Sequence, residues 1–209
     1  KKYNRLTVIF ALMKAKTMIK GKAEAELLNY PQAVDPTKLA AVRIINTLTT
    51  FAVHARLRNM MATLLMINTQ LILKYGFTEE ASSILAGYGM LLAWTGDFEE
   101  GYKYGQIGIK LAAKTNQSVP RAFMNYYTGV DHLKNPLHQS LEPLLLAYRV
   151  AFEIGDTMYG FYCSFQYLSI FFFVGLPLKN LLRDMESFGK EMKAYNMQTA
   201  SYLLKPYHQ

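Results

Sequence analysis

Apolar residues recur three and four positions apart along almost the whole chain, and short polar turns interrupt them. That period is helical, and it predicts about ten helices and no strands. Leu6, Ile9, Phe10, Met13 and Ile19 form a stripe on a first helix over 5–20, which is expected to dock on the next helix. Asp35-Pro36 opens a helix reaching about His54, because Asp accepts free first-turn N–H groups and Pro suits the first helical position. The helix from about Arg58 stops at Gly76.

From Gly76 to Asn196 the chain reads as helix, short turn, helix, repeated. Thr78 with Glu79-Glu80 is expected to start a helix running to Trp94. Thr95-Gly96-Asp97 turns the chain, and Asp97 with Glu100 has the spacing of a capping box. Asn116-Gln117-Ser118 makes the next turn, with Ser118 as a cap. Phe123, Tyr127 and Val130 share one face of a helix ending near Leu133. Ser140 and Asp156 are expected to cap the two helices that follow, and Gly175-Leu176-Pro177 closes the last clear hairpin. Alternate helices should therefore begin near Asp97, Ser140 and Leu178, a spacing wider than the 34 residues of a standard tetratricopeptide unit. The expected architecture is all-α: a right-handed, tetratricopeptide-like α-solenoid of hairpins over 76–209, preceded by a helical cap or junction over 1–75.

Composition adds a second layer. The chain has 209 residues, with a hydrophobic share of 51% against 18% charged. Low charge suits interfaces with missing neighbours. The absence of an initiator Met, and an end at Tyr207-His208-Gln209 within a helical pattern, are expected of a segment of a longer polypeptide. The net charge of +8 is concentrated: Lys1, Lys2, Arg5, Lys14, Lys16, Lys20 and Lys22 precede the first acid. This end lacks the aromatic-flanked basic clusters of a nucleic-acid reader, so no nucleic-acid partner is expected. Nor does it have the charge distribution and cleavage site of a signal peptide.

Thr157 to Leu178 holds 22 residues without a charge, long enough to span a bilayer. Ser164, Gln166 and Ser169 lie inside it, and Gln166 near the centre is costly in lipid. A helix buried between protein neighbours is the favoured reading.

Candidate chemistry is sparse. Cys163 is the single cysteine and sits among Phe161, Tyr162 and Phe165, so it reads as a buried thiol. His132 and His138 lack a metal-ligand set around them. The glycines at 87, 89, 101, 105 and 108 follow no strand and precede no Gly-Lys-Ser/Thr, so they read as helix-packing positions and not as a phosphate loop. Most carboxylates sit at helix starts, where they meet the positive end of the helix dipole. No catalytic, cofactor or metal residue is therefore expected. Fifteen Tyr and twelve Phe make the chain rich in aromatics, and most fall at the helical spacing of core positions. Tyr159, Tyr162 and Gln166, with Arg121, Asn125 and Thr128 on another first-of-pair helix, are the candidate contacts of a concave groove.

Several stretches together resemble one family. They are Leu27-Leu28-Asn29-Tyr30-Pro31, Val34-Asp35-Pro36 with Ala40-Ala41, Lys74-Tyr75-Gly76, and Ala86-Gly87-Tyr88-Gly89. Gly96-Asp97, Gly101-Tyr102-Lys103-Tyr104-Gly105, Asp131-His132-Leu133-Lys134, Pro136-Leu137, Leu141-Glu142-Pro143-Leu144 and Gly155-Asp156 follow in order. The chain resembles the tetratricopeptide-like helical-repeat region of large STAND-type, AAA-like ATPases that carry sensor and kinase or cyclase outputs, such as multi-sensor histidine kinases. It departs at Leu133, where the family often has Trp, a packing position. The resemblance implies a cytoplasmic interaction or sensing arm that helps regulate an ATPase and an output domain elsewhere in the polypeptide. It transfers no catalytic residue. The favoured expectation is a noncatalytic segment that contacts protein partners or neighbouring domains of the same polypeptide, with self-association left open. The competing expectation is a small-molecule-sensing helical module that regulates an attached output domain.

Overall fold

Asn4 starts the first helix by a reciprocal cap: the Thr7 N–H donates to Asn4 Oδ1 at 2.9 Å, and the Asn4 N–H donates to Thr7 Oγ1 at 2.8 Å. The computed structural model describes residues 3–116 and 118–204, apart from the side chains of Thr199 and Leu203. Lys1, Lys2, Gln117, Tyr207, His208 and Gln209, named above, lie outside the described residues. The described residues form helices joined by turns, with no strand; an isolated parallel bridge joins Gln32 to Phe77. Two compact units divide the chain, Lys1–Ser118 and Val119–Gln209.

The first unit contains α1 (Arg5–Ile19), α2 (Glu24–Leu28), α3 (Pro36–His54), α4 (Arg58–Tyr75), α5 (Ala81–Trp94) and α6 (Phe98–Thr115). As expected, Asp35 caps α3 by accepting from the Thr37 N–H at 2.8 Å. Helix α4 ends at Gly76, whose φ of +105° suits glycine. A Cβ there would also stand 2.6 Å from the Ala33 nitrogen. That close approach lets Phe77 exchange backbone hydrogen bonds with Pro31 and Ala33, at 2.7 and 2.8 Å. The pairing keeps the chain extended past Gly76. Helix α5 therefore begins at Ala81, later than the Thr78 expected from its caps.

Helices α5 and α6 make the closest crossing in this unit. A Cβ on Gly89 would stand 2.4 Å from the Gly105 nitrogen, and one on Gly108 would stand 2.6 Å from the Ala86 nitrogen. Small residues at helical spacing thus let two backbones meet, as the packing reading of these glycines requires. Ile19, Leu27, Ile72, Phe77, Leu85 and Ile107 belong to the buried core around this crossing.

Helix α1 departs from its expected orientation. It packs chiefly on α4 rather than on the next helix, and Ala15 and Ile19 are buried. Leu6, Ile9, Phe10 and Met13 face outward, with Phe10 70% exposed. The inward face is instead Val8, Ala11, Leu12, Ala15 and Ile19. Gln70 of α4 fixes this rotation by donating to the Ala11 carbonyl at 3.0 Å. A helix apolar on both faces does not declare its inner face by periodicity alone.

The second unit contains α7 (Val119–Gly129), two 3-10 turns (Asp131–Leu133 and Leu137–Ser140), α8 (Leu141–Glu153), α9 (Thr157–Phe173), α10 (Leu178–Ala194) and α11 (Gln198–Leu204). Helix α7 ends before Leu133 because Asp131 turns inward. Its buried carboxylate accepts from Asn135 Nδ2 at 2.8 Å and from the Ser140 hydroxyl at 3.4 Å. Ser140 is thereby diverted from the cap role expected of it. Helix α9 packs on α7, α8, α10 and α11. Tyr148, Phe152, Phe161, Phe188 and Tyr195 stack around it with ring centroids 4.9–6.3 Å apart, mostly edge to face, the geometry ring quadrupoles favour. Among the described residues no helix is long and apolar enough to cross a membrane.

Candidate functional site

Arg121 stands in the first turn of α7, and Asp156 immediately precedes α9. Arg121 Nε donates to Asp156 Oδ2 at 2.9 Å, and its guanidinium lies 4.5 Å over the Tyr159 ring. Tyr162 meets Tyr159 edge to face at 5.9 Å. Burial pushes the Tyr162 phenol pKa up, with the neighbouring Tyr159 adding to it. The structure thus joins Arg121, Tyr159 and Tyr162 of the expected groove set and adds Asp156, which sequence reading assigned to capping. Asp156 makes no side-chain cap bond, because its carboxylate is turned to Arg121. Asn125, Thr128 and Gln166 are half-buried further along the same two helices. The Thr128 hydroxyl donates to the Met124 carbonyl of its own helix.

An open groove of about 770 Å³ lies elsewhere on this unit. Phe123, Tyr127, Leu141, Pro143 and Leu146 give it apolar walls, and Arg149 stands at its side.

The first unit holds a smaller cavity of about 330 Å³. Lys16 and Ile19 of α1, Tyr88 and Leu92 of α5, and Glu100, Lys103 and Tyr104 of α6 line it, with Asp97 between the last two helices. Lys16 Nζ pairs with Asp97 Oδ2 at 2.5 Å, and Lys103 Nζ with Glu100 Oε1 at 3.4 Å. The Tyr88 and Tyr104 rings stand 5.2 Å apart. Tyr88 is fully buried, and its hydroxyl has no hydrogen-bond partner. Asp97 also lacks a side-chain cap bond, so the expected capping box is replaced by an ion pair from α1. No local signal reveals this site, since Lys16 and Asp97 are 81 residues apart.

Cys163 is buried, burial pushes its thiol pKa up, and its Sγ contacts the Pro120 carbonyl at 3.5 Å. His132 and His138 are exposed on the 3-10 turns. Among the described residues no three His, Cys, Asp or Glu side chains come together to hold a metal. Comparison of the chain with protein-family models, curated proteins and solved structures finds no match.

Proposed function

We propose that this chain is a noncatalytic, tetratricopeptide-like interaction segment of a larger cytoplasmic signal-transduction protein. Its partners would be other proteins or neighbouring ATPase and kinase domains of the same polypeptide. One observation carries the reading: α9 packs on α7 and on α11 as well as on the intervening α8 and α10. First-of-pair helices lying against one another are what a solenoid of hairpins requires, and in such folds they line the concave surface. Arg121, Tyr159 and Tyr162 stand on two of those helices. Arginine and tyrosine are the residue types that anchor protein interfaces. The resemblance at Val34-Asp35-Pro36 and Gly96-Asp97 supports the signalling context.

The test is site-specific photocrosslinking in cells from Tyr162 and Gln166, with adducts identified by mass spectrometry. Adducts dominated by one protein, or by another region of the parent polypeptide, are expected. They should disappear in a folded R121A/Y159A variant. Scattered adducts that the variant leaves unchanged would overturn the reading.

A second reading, a small-molecule-sensing module, is favoured by the cavity beside Tyr88.

A further inference from the structure

We infer that the cavity between α1 and the α5–α6 hairpin binds a small organic anion, a carboxylate or a phosphate ester, held by Lys20 and hydrogen-bonded by Tyr88. This rests on the sensing reading and names its ligand class.

The first argument is the orphan phenol. A buried polar group without a partner destabilises the fold that holds it. Phenylalanine would fill the same space without that cost. Tyr88 lines the cavity together with Asp97, Glu100 and Tyr104. Burial pushes its pKa up, so it remains a neutral donor. A carboxylate or phosphate oxygen is the acceptor it lacks.

Charge is the second argument. Three lysines and two carboxylates line the cavity. Asp97 is matched by Lys16 and Glu100 by Lys103. Lys20 lines the same space and has no ion pair among the described residues. The walls therefore carry one positive charge in excess, and a cationic ligand is disfavoured.

Size is the third. The cavity of about 330 Å³ falls at the low end of ligand pockets, which run from about 300 to 1,000 Å³. A lone water needs only about 10–15 Å³ of such space. Ile19 and Leu92 give it apolar wall, so the ligand should carry a short carbon skeleton behind its anionic group.

NMR titration of the isotopically labelled 209-residue chain at fixed ionic strength tests this, with succinate, glycerol 3-phosphate and neutral glycerol as probes. Saturable shifts of the Gly21 and Lys103 amides are expected with at least one anion, and which one distinguishes carboxylate from phosphate. Lys20→Gln should weaken that binding about tenfold, the effect of losing one charge-assisted contact worth about 1.4 kcal/mol. Tyr88→Phe should weaken it severalfold while the spectrum stays folded, since no existing hydrogen bond is lost. If Tyr88→Phe proves unstable, the exposed Lys20→Gln decides. Absence of saturable shifts, or shifts indifferent to both substitutions, overturns the inference. Glycerol binding weakened by Tyr88→Phe but not by Lys20→Gln overturns the anion assignment and leaves the sensing reading standing.

Discussion

Arg121 reaches the Asp156 carboxylate at 2.9 Å across a sequence separation of 35 residues. The pair is mostly shielded, with side-chain exposures of 28% and 19%. It joins the first turn of α7 to the residue before α9, the two helices that carry the proposed binding face.

That pair should couple energetically. A double-mutant cycle with Arg121→Ala and Asp156→Ala, read by urea denaturation, is expected to give about 1 kcal/mol of interaction, above the usual exposed pair. The value should shrink as sodium chloride rises toward 1 M. Strict additivity of the two single changes would refute it.

The helix-face glycines make a paired prediction. Gly89→Ala drives a methyl group to 2.4 Å from the Gly105 backbone, so α5 and α6 must separate. A loss on the order of 1–3 kcal/mol is expected, as for other overpacked cores. Gly189→Ala sits in α10 with its nearest neighbour 3.9 Å away. It should stabilise by about 0.5–1 kcal/mol through helix propensity. Thermal melts of both variants check the contrast.

The rotation of α1 can be tested by substitution. Ile19→Ala removes a buried side chain and should cost about 2–5 kcal/mol. Phe10→Ala changes an exposed one and should stay within about 0.5 kcal/mol. The reverse ranking in urea titrations would mean that the Leu6–Phe10 stripe is the docked face.

Stability should fall on the alkaline side. Tyr167 is pushed up to about 12, chiefly by burial and then by its 2.9 Å bond to Asp184. Burial raises Tyr88, Tyr104 and Tyr148 as well. Each is an acid that keeps its proton in the fold after the unfolded chain has lost it. Their stabilisation is therefore complete below an unfolded pKa near 10 and declines as pH rises above it. Urea midpoints should hold up to about pH 9 and drop between about pH 10 and 12. Tyr167→Phe should flatten part of that decline, and an unchanged slope would contradict the assignment.

Much of the helical layout was legible in the chain itself. The expected starts near Asp97, Ser140 and Leu178 correspond to α6 at Phe98, α8 at Leu141 and α10 at Leu178. Turn residues and apolar spacing act over a few residues, so they can be read locally. The caps were only partly legible. Asp35 caps as its sequence implies, whereas Asp97 and Asp156 present the same signal and spend their carboxylates on Lys16 and Arg121. A carboxylate at a helix start can accept from its own backbone or from a distant cation, and sequence does not choose between them. The clustering of Arg121 with Tyr159 was not legible: spacing placed Arg121, Tyr159 and Tyr162 on two helix faces, and only α7–α9 packing stacked the guanidinium on the ring.

By itself, then, the sequence determined an all-helical chain, the places where most helices break, and the packing role of Gly89, Gly101 and Gly108, because these follow from local propensity and side-chain size. Tertiary structure alone decided which face of α1 is buried, when α5 can begin, and that Lys16, Lys20, Tyr88 and Asp97 surround one cavity. Those outcomes depend on backbones and charges brought together across 81 residues in the case of Lys16 and Asp97. No short-range pattern encodes such a meeting. It is set by how the helices pack.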